Sequence, residues 1–471
     1  MLKIVVCLIF VAAVVFFIYG NENLFATPVD YYSTKSIDSF KTQIQLIKVD
    51  SVETTTVHSK YSDDFHDRVH YVPLYIRHNL TANVDCAAYF VNNSAFNTKR
   101  VTLIDPVEYK TDCASIEARF GCPRKARSKE EAQFPIAFLR AVYKDYVFLE
   151  TLFRAQYQPQ NVYGFVLDSK SDKVFKKRIR NLAKCFPNVV VADQEFDIQS
   201  NGKNVTRAFV AGFKVLQKFD WRYAITLQNH DVVYKTNAEL VRIFTAFGGA
   251  NDIATGIRTA RLPPNVTFTI ENMKLFKNET RNQLAEPNQL QITKSLVEVS
   301  LSREAADYII DVLNTSTLIE NLEKSKYGMD EHFISTLNSN EGLDLPGGFT
   351  TKCFEKGIGT PHVTRKTIWI YGRRDAAHCR SKYFRHAICI LGTEDLFYLV
   401  GKQRIVANKM MGEFDFGAVD CLMERVHNRS YGLVSSEREG VDLRVFEELR
   451  HVRYHKLRKA NNGKRPPDFE C

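Results

Sequence analysis

Residues 134–167 have the sequence FPIAFLRAVYKDYVFLETLFRAQYQPQNVYGFVL, and this stretch decides the fold class. Pro135 to Val142 is an apolar run of strand length, and Val162 to Leu167 is a second one. Between them, Tyr146 to Tyr157 carries apolar residues at helical spacing. A strand, a helix and a strand in this order predict a parallel βαβ unit with a right-handed crossover.

The same alternation continues along the chain. The predicted elements are a helix at Val174–Phe186, a strand at Asn188–Ala192, a helix at Thr206–Lys218, a strand at Arg222–Leu227 and a helix at Ala238–Phe247. The less regular second half predicts helices at Glu304–Leu313, Asp330–Leu337 and Phe416–Arg425 and a strand at Ala387–Leu391. The prediction is an α/β fold with a Rossmann-like, mostly parallel sheet. Such sheets bind ligands beyond the carboxyl ends of their strands, where Tyr143, Asp168 and the Asn229–Asp231 turn lie.

The beginning of the chain indicates a membrane anchor. Ile4 to Tyr19 is a continuous apolar run after Lys3. It is short for a membrane span, which usually needs about 20 residues, and long for a cleaved signal peptide. Ile18 fits poorly with cleavage after Gly20, so we expect an uncleaved signal-anchor. Lys3 favours a cytoplasmic stub at residues 1–3 and a lumenal body, as in a single-pass type II protein of the Golgi membrane.

Cysteines and sequons agree with a lumenal body. Nine of the ten cysteines lie outside the membrane run, which fits an oxidising compartment. The predicted glycosylation sites are the seven Asn-x-Ser/Thr asparagines Asn79, Asn92, Asn204, Asn265, Asn278, Asn314 and Asn428. Residues 20–85 are polar and predict a lumenal stem, residues 86–450 the folded body, and residues 451–471 a basic tail.

Composition and missing motifs narrow the chemistry. The net charge of +10 predicts either anionic partners or a solvated basic face. No nucleic-acid-binding motif is present, so we expect no nucleic-acid partner. The sequence also has no P-loop, no GxGxxG, no Cys-x-x-Cys and no Asp-x-Asp; Asp193-Gln194-Glu195 comes nearest to the last. Many enzymes that use nucleotide sugars hold a metal ion with an Asp-x-Asp pair, so its absence leads us to expect no metal, and we expect no cofactor. If the chain is such an enzyme, Lys or Arg would neutralise the leaving diphosphate instead.

Several short segments resemble one known family in their order and spacing. They are Phe134-Pro135-Ile136-Ala137, Leu152 to Asn161, Val166 to Ser171, Cys185 to Val189, Asp231 with Lys235-Thr236-Asn237, Asp330-Glu331-His332 and Ala407-Asn408-Lys409. From about Cys86 to Tyr431, the chain resembles the core-2/I-branching β-1,6-N-acetylglucosaminyltransferases, a family that includes the peptide O-xylosyltransferases. The resemblance implies a GT-A-like fold and an inverting, metal-independent transfer from a UDP-sugar.

The resemblance also implies a catalytic base, which matches Glu331. A carboxylate near a helix start is favoured in its charged form by the helix dipole. The ordinary alternative is that Asp330 caps the helix and Glu331 is only a first-turn acid.

The diphosphate ligands implied by the resemblance are Lys409 and an arginine three residues before Cys389. That second position is His386 in this chain, and Arg385 precedes it. Either Arg385 reaches the diphosphate, or His386 contributes when protonated, or donor binding is weakened; we favour Arg385. The alternative for Lys409 is a solvated surface lysine.

Four further positions match family ligands. Tyr143, where the family has His, and Asp168 match the uridine-binding positions. Asp168 is alternatively a cap for the turn that follows its strand. Trp369 and Tyr371 match acceptor-binding aromatic residues, whose faces pack on sugars; the alternative is two core side chains of one strand.

The resemblance implies disulfides Cys86–Cys421 and Cys379–Cys389. Cys113, Cys122, Cys185, Cys353 and Cys471 are then left over. Cys113 with Cys122 is one option for a local bridge, and an odd thiol leaves a homo-oligomer open.

The function that follows is transfer of N-acetylglucosamine, in β-1,6 linkage, from a UDP-sugar to a glycan or glycoprotein such as an O-glycan. Transfer of another sugar such as xylose is the nearest alternative. A non-catalytic sugar-binding protein on the same fold is the other.

Overall fold

The computed structural model describes residues 74–91, 99–119, 121, 123–256, 262–371, 376–434, 439–466 and 469–471. The predicted anchor, most of the predicted stem, Asn92 and Cys122 therefore lie outside the described residues. Within those ranges, no helix is both long enough and apolar enough to cross a membrane.

The strands that the structure describes form three sheets. They are β1 (Ile136–Val142), β2 (Val162–Leu167), β3 (Val189–Val191), β4 (Tyr223–Leu227), β5 (Val232–Val233), β6 (Ser300–Ser302), β7 (Arg365–Thr367), β8 (Phe384–Arg385), β9 (Ile388–Cys389) and β10 (Val406–Asn408). The main sheet has the order β3-β2-β1-β4-β6. Its first four members are parallel, and β6 runs antiparallel to β4. This confirms the predicted α/β fold with a mostly parallel sheet.

The α-helices of the described residues follow the predicted alternation. They are α1 (Cys113–Ala118), α2 (Lys129–Gln133), α3 (Tyr146–Gln156), α4 (Lys173–Cys185), α5 (Val205–Leu216), α6 (Asn237–Phe247), α7 (Glu279–Leu284), α8 (Arg303–Asp311), α9 (Ser316–Leu322), α10 (Phe333–Ser339), α11 (Lys352–Glu355), α12 (Leu396–Val400), α13 (Gly412–Ser430), α14 (Leu443–Glu447) and α15 (Arg450–Ala460).

The central strands are buried along their whole lengths, which is typical of parallel strands covered on both faces. Side chains alternate between two hydrophobic clusters, one on each face. In β1, Phe138 and Val142 belong to one cluster, and Leu139 and Ala141 belong to the other. A Cβ at Gly212 of α5 would lie 2.4 Å from Leu139. Glycine is therefore required where this helix packs on the sheet.

Two smaller sheets extend the main one. One has the order β5-β10-β7, with β10 antiparallel to β5 and parallel to β7. The other is the β8–β9 hairpin. The predicted strand at Ala387–Leu391 is thus shorter than expected, because the chain turns back at residues 386 and 387. The predicted helix at Asp330–Leu337 begins instead with a 3₁₀ turn at Asp330–His332 and continues as α10.

The segment predicted as a basic tail is partly packed on the body. Helix α15 buries His451, Val452 and Tyr454. The last residue, Cys471, forms a disulfide with Cys353. The positive charges of this segment therefore lie on a helix and an extension that are joined covalently to the body.

The disulfides agree with the sequence prediction in part. Cys86–Cys421 and Cys379–Cys389 are both present, as the resemblance implied. The suggested local bridge of Cys113 with Cys122 is wrong, because Cys113 is bonded to Cys185. Cys113 opens α1, which packs on α4, and Cys185 is the last residue of α4. Helix packing therefore brings together two cysteines that lie 72 positions apart.

The Cys353–Cys471 bond closes a loop of more than a hundred residues and is expected to stabilise the protein by about 2–5 kcal/mol. We expect Cys353→Ser, Cys471→Ser and the double variant to lower the melting temperature by the same amount, because each breaks the same bond. Thermal unfolding followed by circular dichroism measures this. Additive losses in the double variant would contradict the bond.

Candidate active site

The carboxyl ends of β1 and β4 meet at one edge of the main sheet. Tyr143 follows β1, and its backbone N–H donates to Asn229 Oδ1 at 2.9 Å in the loop after β4. Its ring stands edge-on to His230, with the ring centroids 5.8 Å apart. Tyr143 is 39% exposed, so part of this residue is available to a ligand at this edge.

Asp168 follows β2 and is buried. Its Oδ1 accepts from the backbone N–H of Lys170 at 2.9 Å and lies 3.0 Å from Lys170 Nζ. The carboxylate therefore caps the turn that follows the strand, which is the alternative that the sequence left open. This contact does not test the predicted uridine-binding role.

Lys409 lies at the end of β10 and is held against β9. Its backbone N–H donates to Cys389 O, and its carbonyl accepts from the Leu391 N–H at 2.8 Å. Burial lowers the pKa of Lys409, and the positive charges of Arg365 and Arg385 lower it further. Lys409 is thus a partly desolvated cation beside two others, and this arrangement differs from that of a solvated surface lysine.

The β8–β9 hairpin carries Arg385 and His386, the two residues that the sequence offered as the second diphosphate ligand. Its two-residue turn consists of His386 (φ 51°) and Ala387 (φ 63°), both in the left-handed region that non-glycine residues rarely adopt. Burial lowers the pKa of His386, and nearby Lys409 and Arg385 lower it further. The neutral imidazole is therefore favoured, which weakens the option of a protonated His386.

Arg385 belongs to a contact that the sequence analysis did not identify. Its guanidinium NH1 lies 2.8 Å from Glu413 Oε1. The second oxygen of Glu413 lies 2.7 Å from Lys144 Nζ. One carboxylate at the start of α13 therefore holds two cations beside Tyr143. In the sequence, Lys144 directly follows Tyr143 at the end of a predicted strand, and this position could have indicated a cation at this edge of the sheet.

Glu331 lies in the 3₁₀ turn that precedes α10, and its side chain is 19% exposed. Its Oε2 is 2.7 Å from Lys294 Nζ. Its carbonyl accepts from the Ser295 N–H at 2.7 Å. The ring of the adjacent His332 is buried, with Nδ1 2.9 Å from Thr293 O. The segment 293–295 thus holds this turn through both backbone and side-chain contacts.

Asp330 does not cap the helix, so that part of the ordinary interpretation is wrong, whereas Glu331 does lie in the first turn of its segment. Met329 and His332 occupy the N-cap positions of the 3₁₀ turn and of α10, and neither makes a side-chain cap bond. Asp330 is buried, and a Cβ at Gly202 would lie 2.1 Å from its Oδ1. Burial and the neighbouring Glu331 raise the pKa of Asp330 to about 7.

A buried polar cluster connects the two sides of the site. Arg365 on β7 has its NH1 2.5 Å from Glu298 Oε1 and 3.7 Å from Asp231 Oδ1. The same Asp231 oxygen accepts from Asn408 Nδ2 at 2.8 Å. Burial raises the pKa of Glu298, Arg365 lowers it, and the charges of Asp231 and Asp330 raise it. Glu298 is therefore close enough to both Asp231 and Asp330 for their charges to affect its pKa.

The two aromatic candidates lie beside the β8–β9 hairpin. Trp369 is half-buried, and its backbone pairs with Ile388 of β9. The next residue, Ile370, donates its N–H to Ala387 O at 3.0 Å. Tyr371 is 63% exposed, so it is not a core side chain. The structure thus places both aromatic residues next to the hairpin that carries Arg385.

The structure describes six of the seven predicted glycosylation asparagines. Asn79, Asn265 and Asn278 are exposed, and Asn204, Asn314 and Asn428 are half-buried. Within the described ranges, no group of three or more His, Cys, Asp or Glu side chains is arranged to hold a metal ion. Metal independence stays a prediction, as does glycosylation.

Comparison with known proteins assigns the chain to a family. Residues 136–400, more than half of the chain, match the family model described as Core-2/I-Branching enzyme. The chain belongs to this family. It is therefore an enzyme, a glycosyltransferase of the acetylglucosaminyltransferase type, as the sequence predicted.

Individual relatives agree with this assignment. The human N-acetyllactosaminide beta-1,6-N-acetylglucosaminyl-transferase is 30% identical over 315 residues, which cover 64% of this chain and 75% of that one. The mouse beta-1,3-galactosyl-O-glycosyl-glycoprotein beta-1,6-N-acetylglucosaminyltransferase 4 is 28% identical over 380 residues, covering 76% and 82%. Among solved structures, the Mycobacterium tuberculosis glucosyl-3-phosphoglycerate synthase matches at a TM-score of 0.21 and 13% identity, covering 49% and 73%. A score this low carries no weight.

The raised pKa of Asp330 makes stability depend on pH. The folded protein retains a proton here up to about pH 7, whereas the unfolded chain releases it near pH 4. The contribution of this group is full below about pH 4 and is lost as the pH rises through about 7. We expect Asp330→Asn to match the wild type near pH 4 and to be more stable by on the order of 2–4 kcal/mol at about pH 8. Thermal unfolding across this range measures the difference, and a constant offset would contradict it.

Proposed function

We propose that this enzyme transfers N-acetylglucosamine, in β-1,6 linkage, from UDP-N-acetylglucosamine to a glycan acceptor such as an O-glycan. The observation that carries this proposal is that the human and mouse relatives are both named as β-1,6-N-acetylglucosaminyltransferases. A GT-A-like fold, in which the donor lies at the carboxyl edge of the main sheet, belongs to the same proposal. Transfer of xylose and non-catalytic sugar binding are the alternatives that the experiment below separates.

In the proposed mechanism, the acceptor hydroxyl attacks the anomeric carbon from the face opposite UDP. Glu331 takes the hydroxyl proton as the new C–O bond forms and the bond to UDP breaks. Partial exposure makes its carboxylate accessible to an acceptor, and the 293–295 segment fixes its direction. Trp369 and Tyr371 offer aromatic faces to the acceptor sugar.

UDP leaves with one additional unit of negative charge, which must be stabilised on the diphosphate. Lys409 and Arg385 are the proposed ligands of this diphosphate, since fixed cations stabilise charge that develops in the transition state. Lys409 is already partly desolvated, which strengthens its attraction for an anion. With two cations in these positions, we propose that the reaction needs no metal. Tyr143 and Asp168 are the proposed uridine contacts.

The predicted Golgi location and the anchor at residues 4–19 belong to the proposal as well, because those residues lie outside the described part of the chain. The disulfides are consistent with an oxidising compartment.

A donor panel tests the proposal. The soluble body is incubated with UDP-N-acetylglucosamine, UDP-xylose or UDP-N-acetylgalactosamine and a set of O-glycan acceptors, with and without EDTA. We expect transfer from UDP-N-acetylglucosamine alone and an equal rate in EDTA, with the β-1,6 linkage confirmed by NMR. Loss of activity in EDTA would contradict metal independence, and transfer from no donor would favour a non-catalytic protein.

The same assay includes Glu331→Gln, which keeps the shape of the side chain but cannot take a proton. We expect turnover to fall by about 10²–10⁴-fold, with the UDP dissociation constant from calorimetry unchanged. Glu320→Gln, at an exposed position of α9, is the control. Near-normal turnover by Glu331→Gln would exclude Glu331 as the base.

The second diphosphate ligand can be identified by binding alone. Arg385→Ala should weaken UDP binding by about 10–100-fold, because a charge-assisted hydrogen bond contributes about 1.5–3 kcal/mol. His386→Ala should change it by much less, because the neutral imidazole is favoured. Uridine, which lacks the diphosphate, should bind both variants like the wild type. A larger loss in His386→Ala than in Arg385→Ala would reverse the assignment.

A further inference from the structure

Lys294 contacts the proposed base from a rigid position. Its N–H donates to Gly256 O at 2.8 Å, and its carbonyl accepts from the Gly256 N–H at 3.0 Å. The next residue, Ser295, donates its N–H to the carbonyl of Glu331 at 2.7 Å. The backbone on both sides of the lysine is therefore fixed, one side to residue 256 and the other to the turn that carries the base.

The side chains of Lys294 and Glu331 also contact each other. Lys294 Nζ lies 2.7 Å from Glu331 Oε2, and both side chains are about four-fifths buried, at 21% and 19% exposure. An ion pair at this depth is less screened by water than a surface pair, and its geometry is better defined. A carboxylate has two oxygens in one plane. An ammonium that holds one oxygen in place fixes the direction of the other.

Lys294 also lies close to the neighbour of the base. Asp330 is adjacent to Glu331 and buried, and the positive charge of Lys294 acts to lower the pKa of Asp330, which its burial raises. Lys294 is therefore a cation that the structure places in contact with Glu331 and near Asp330.

We propose that Lys294 is a positioning residue for catalysis, whose ammonium orients the Glu331 carboxylate toward the acceptor hydroxyl. This inference rests on the proposed function, in which Glu331 is the base. Lys294 exchanges no proton in the reaction. The acceptor hydroxyl gives its proton to Glu331, its oxygen bonds to the anomeric carbon, and UDP leaves with the electron pair of the broken bond.

The test uses Lys294→Met, which keeps a long side chain and removes the charge. We expect kcat to fall by about 10–100-fold, since a small misplacement of a reacting group costs up to about 100-fold. The KM for acceptor and the dissociation constant for UDP should stay within about twofold of the wild type. Lys294→Arg should restore most of kcat, because it restores the cation. Lys177→Met, at an exposed position of α4, is the matched control.

The outcomes separate this inference from the proposed function. Wild-type turnover by Lys294→Met would overturn the inference and leave the base assignment intact. A loss of UDP affinity equal to the loss of kcat, or no recovery in Lys294→Arg, would show a structural role only and would also overturn it. Transfer from no donor by the wild type would overturn the proposed function and this inference together. If Lys294→Met does not fold, Lys294→Gln provides the same comparison.

Discussion

The guanidinium of Arg365, buried between two acidic side chains, is the interaction on which the site depends. It contacts Glu298 and lies near Asp231, and Asp231 in turn binds Asn408. These residues come from β7, from the chain before β6, from the loop after β4 and from β10. A buried charge is tolerated only when it is paired and hydrogen-bonded, so the pairing forces these four segments to keep one arrangement. Lys409 directly follows Asn408, so the hydrogen bond from Asn408 to Asp231 also helps to fix the position of Lys409.

The same cluster fixes the side of the site that carries Lys409. Asp231 and Arg365 both act on the charge of Lys409, and the backbone of Lys409 continues from Asn408. A displacement of this side would leave part of the buried ion pair unsatisfied. Breaking such a pair by removing one partner typically costs about 3–5 kcal/mol. The cluster therefore contributes rigidity at the place proposed for the leaving diphosphate.

The main sheet could be predicted well from the sequence, because the patterns that indicate its strands and helices depend on neighbouring residues. Apolar runs and helical spacing between Ile136 and Leu227 are such patterns, so the elements could be placed with small errors at their ends. The Cys113–Cys185 bond was missed because it depends on the packing of α1 on α4. The pairs Lys294–Glu331 and Lys144–Glu413 were missed for the same reason, since each joins positions that only the fold brings together. The alternative that Asp330 caps the helix was wrong because a 3₁₀ turn moved the start of the helix.

The electrostatics of Lys409 connect this architecture to the proposed chemistry. Its pKa is lowered because burial removes water and because Arg365 and Arg385 repel its charge, and the nearby Asp231 and Glu298 offset only part of this lowering. An anion beside Lys409 would counteract both effects, since it supplies the interactions that water no longer provides and screens the cations from one another. The benefit grows with the charge on the anion, and a departing diphosphate gains charge as its bond to the sugar breaks. In the proposed reaction, cations held so close together would therefore stabilise the transition state more than the ground state, which is the condition for catalysis.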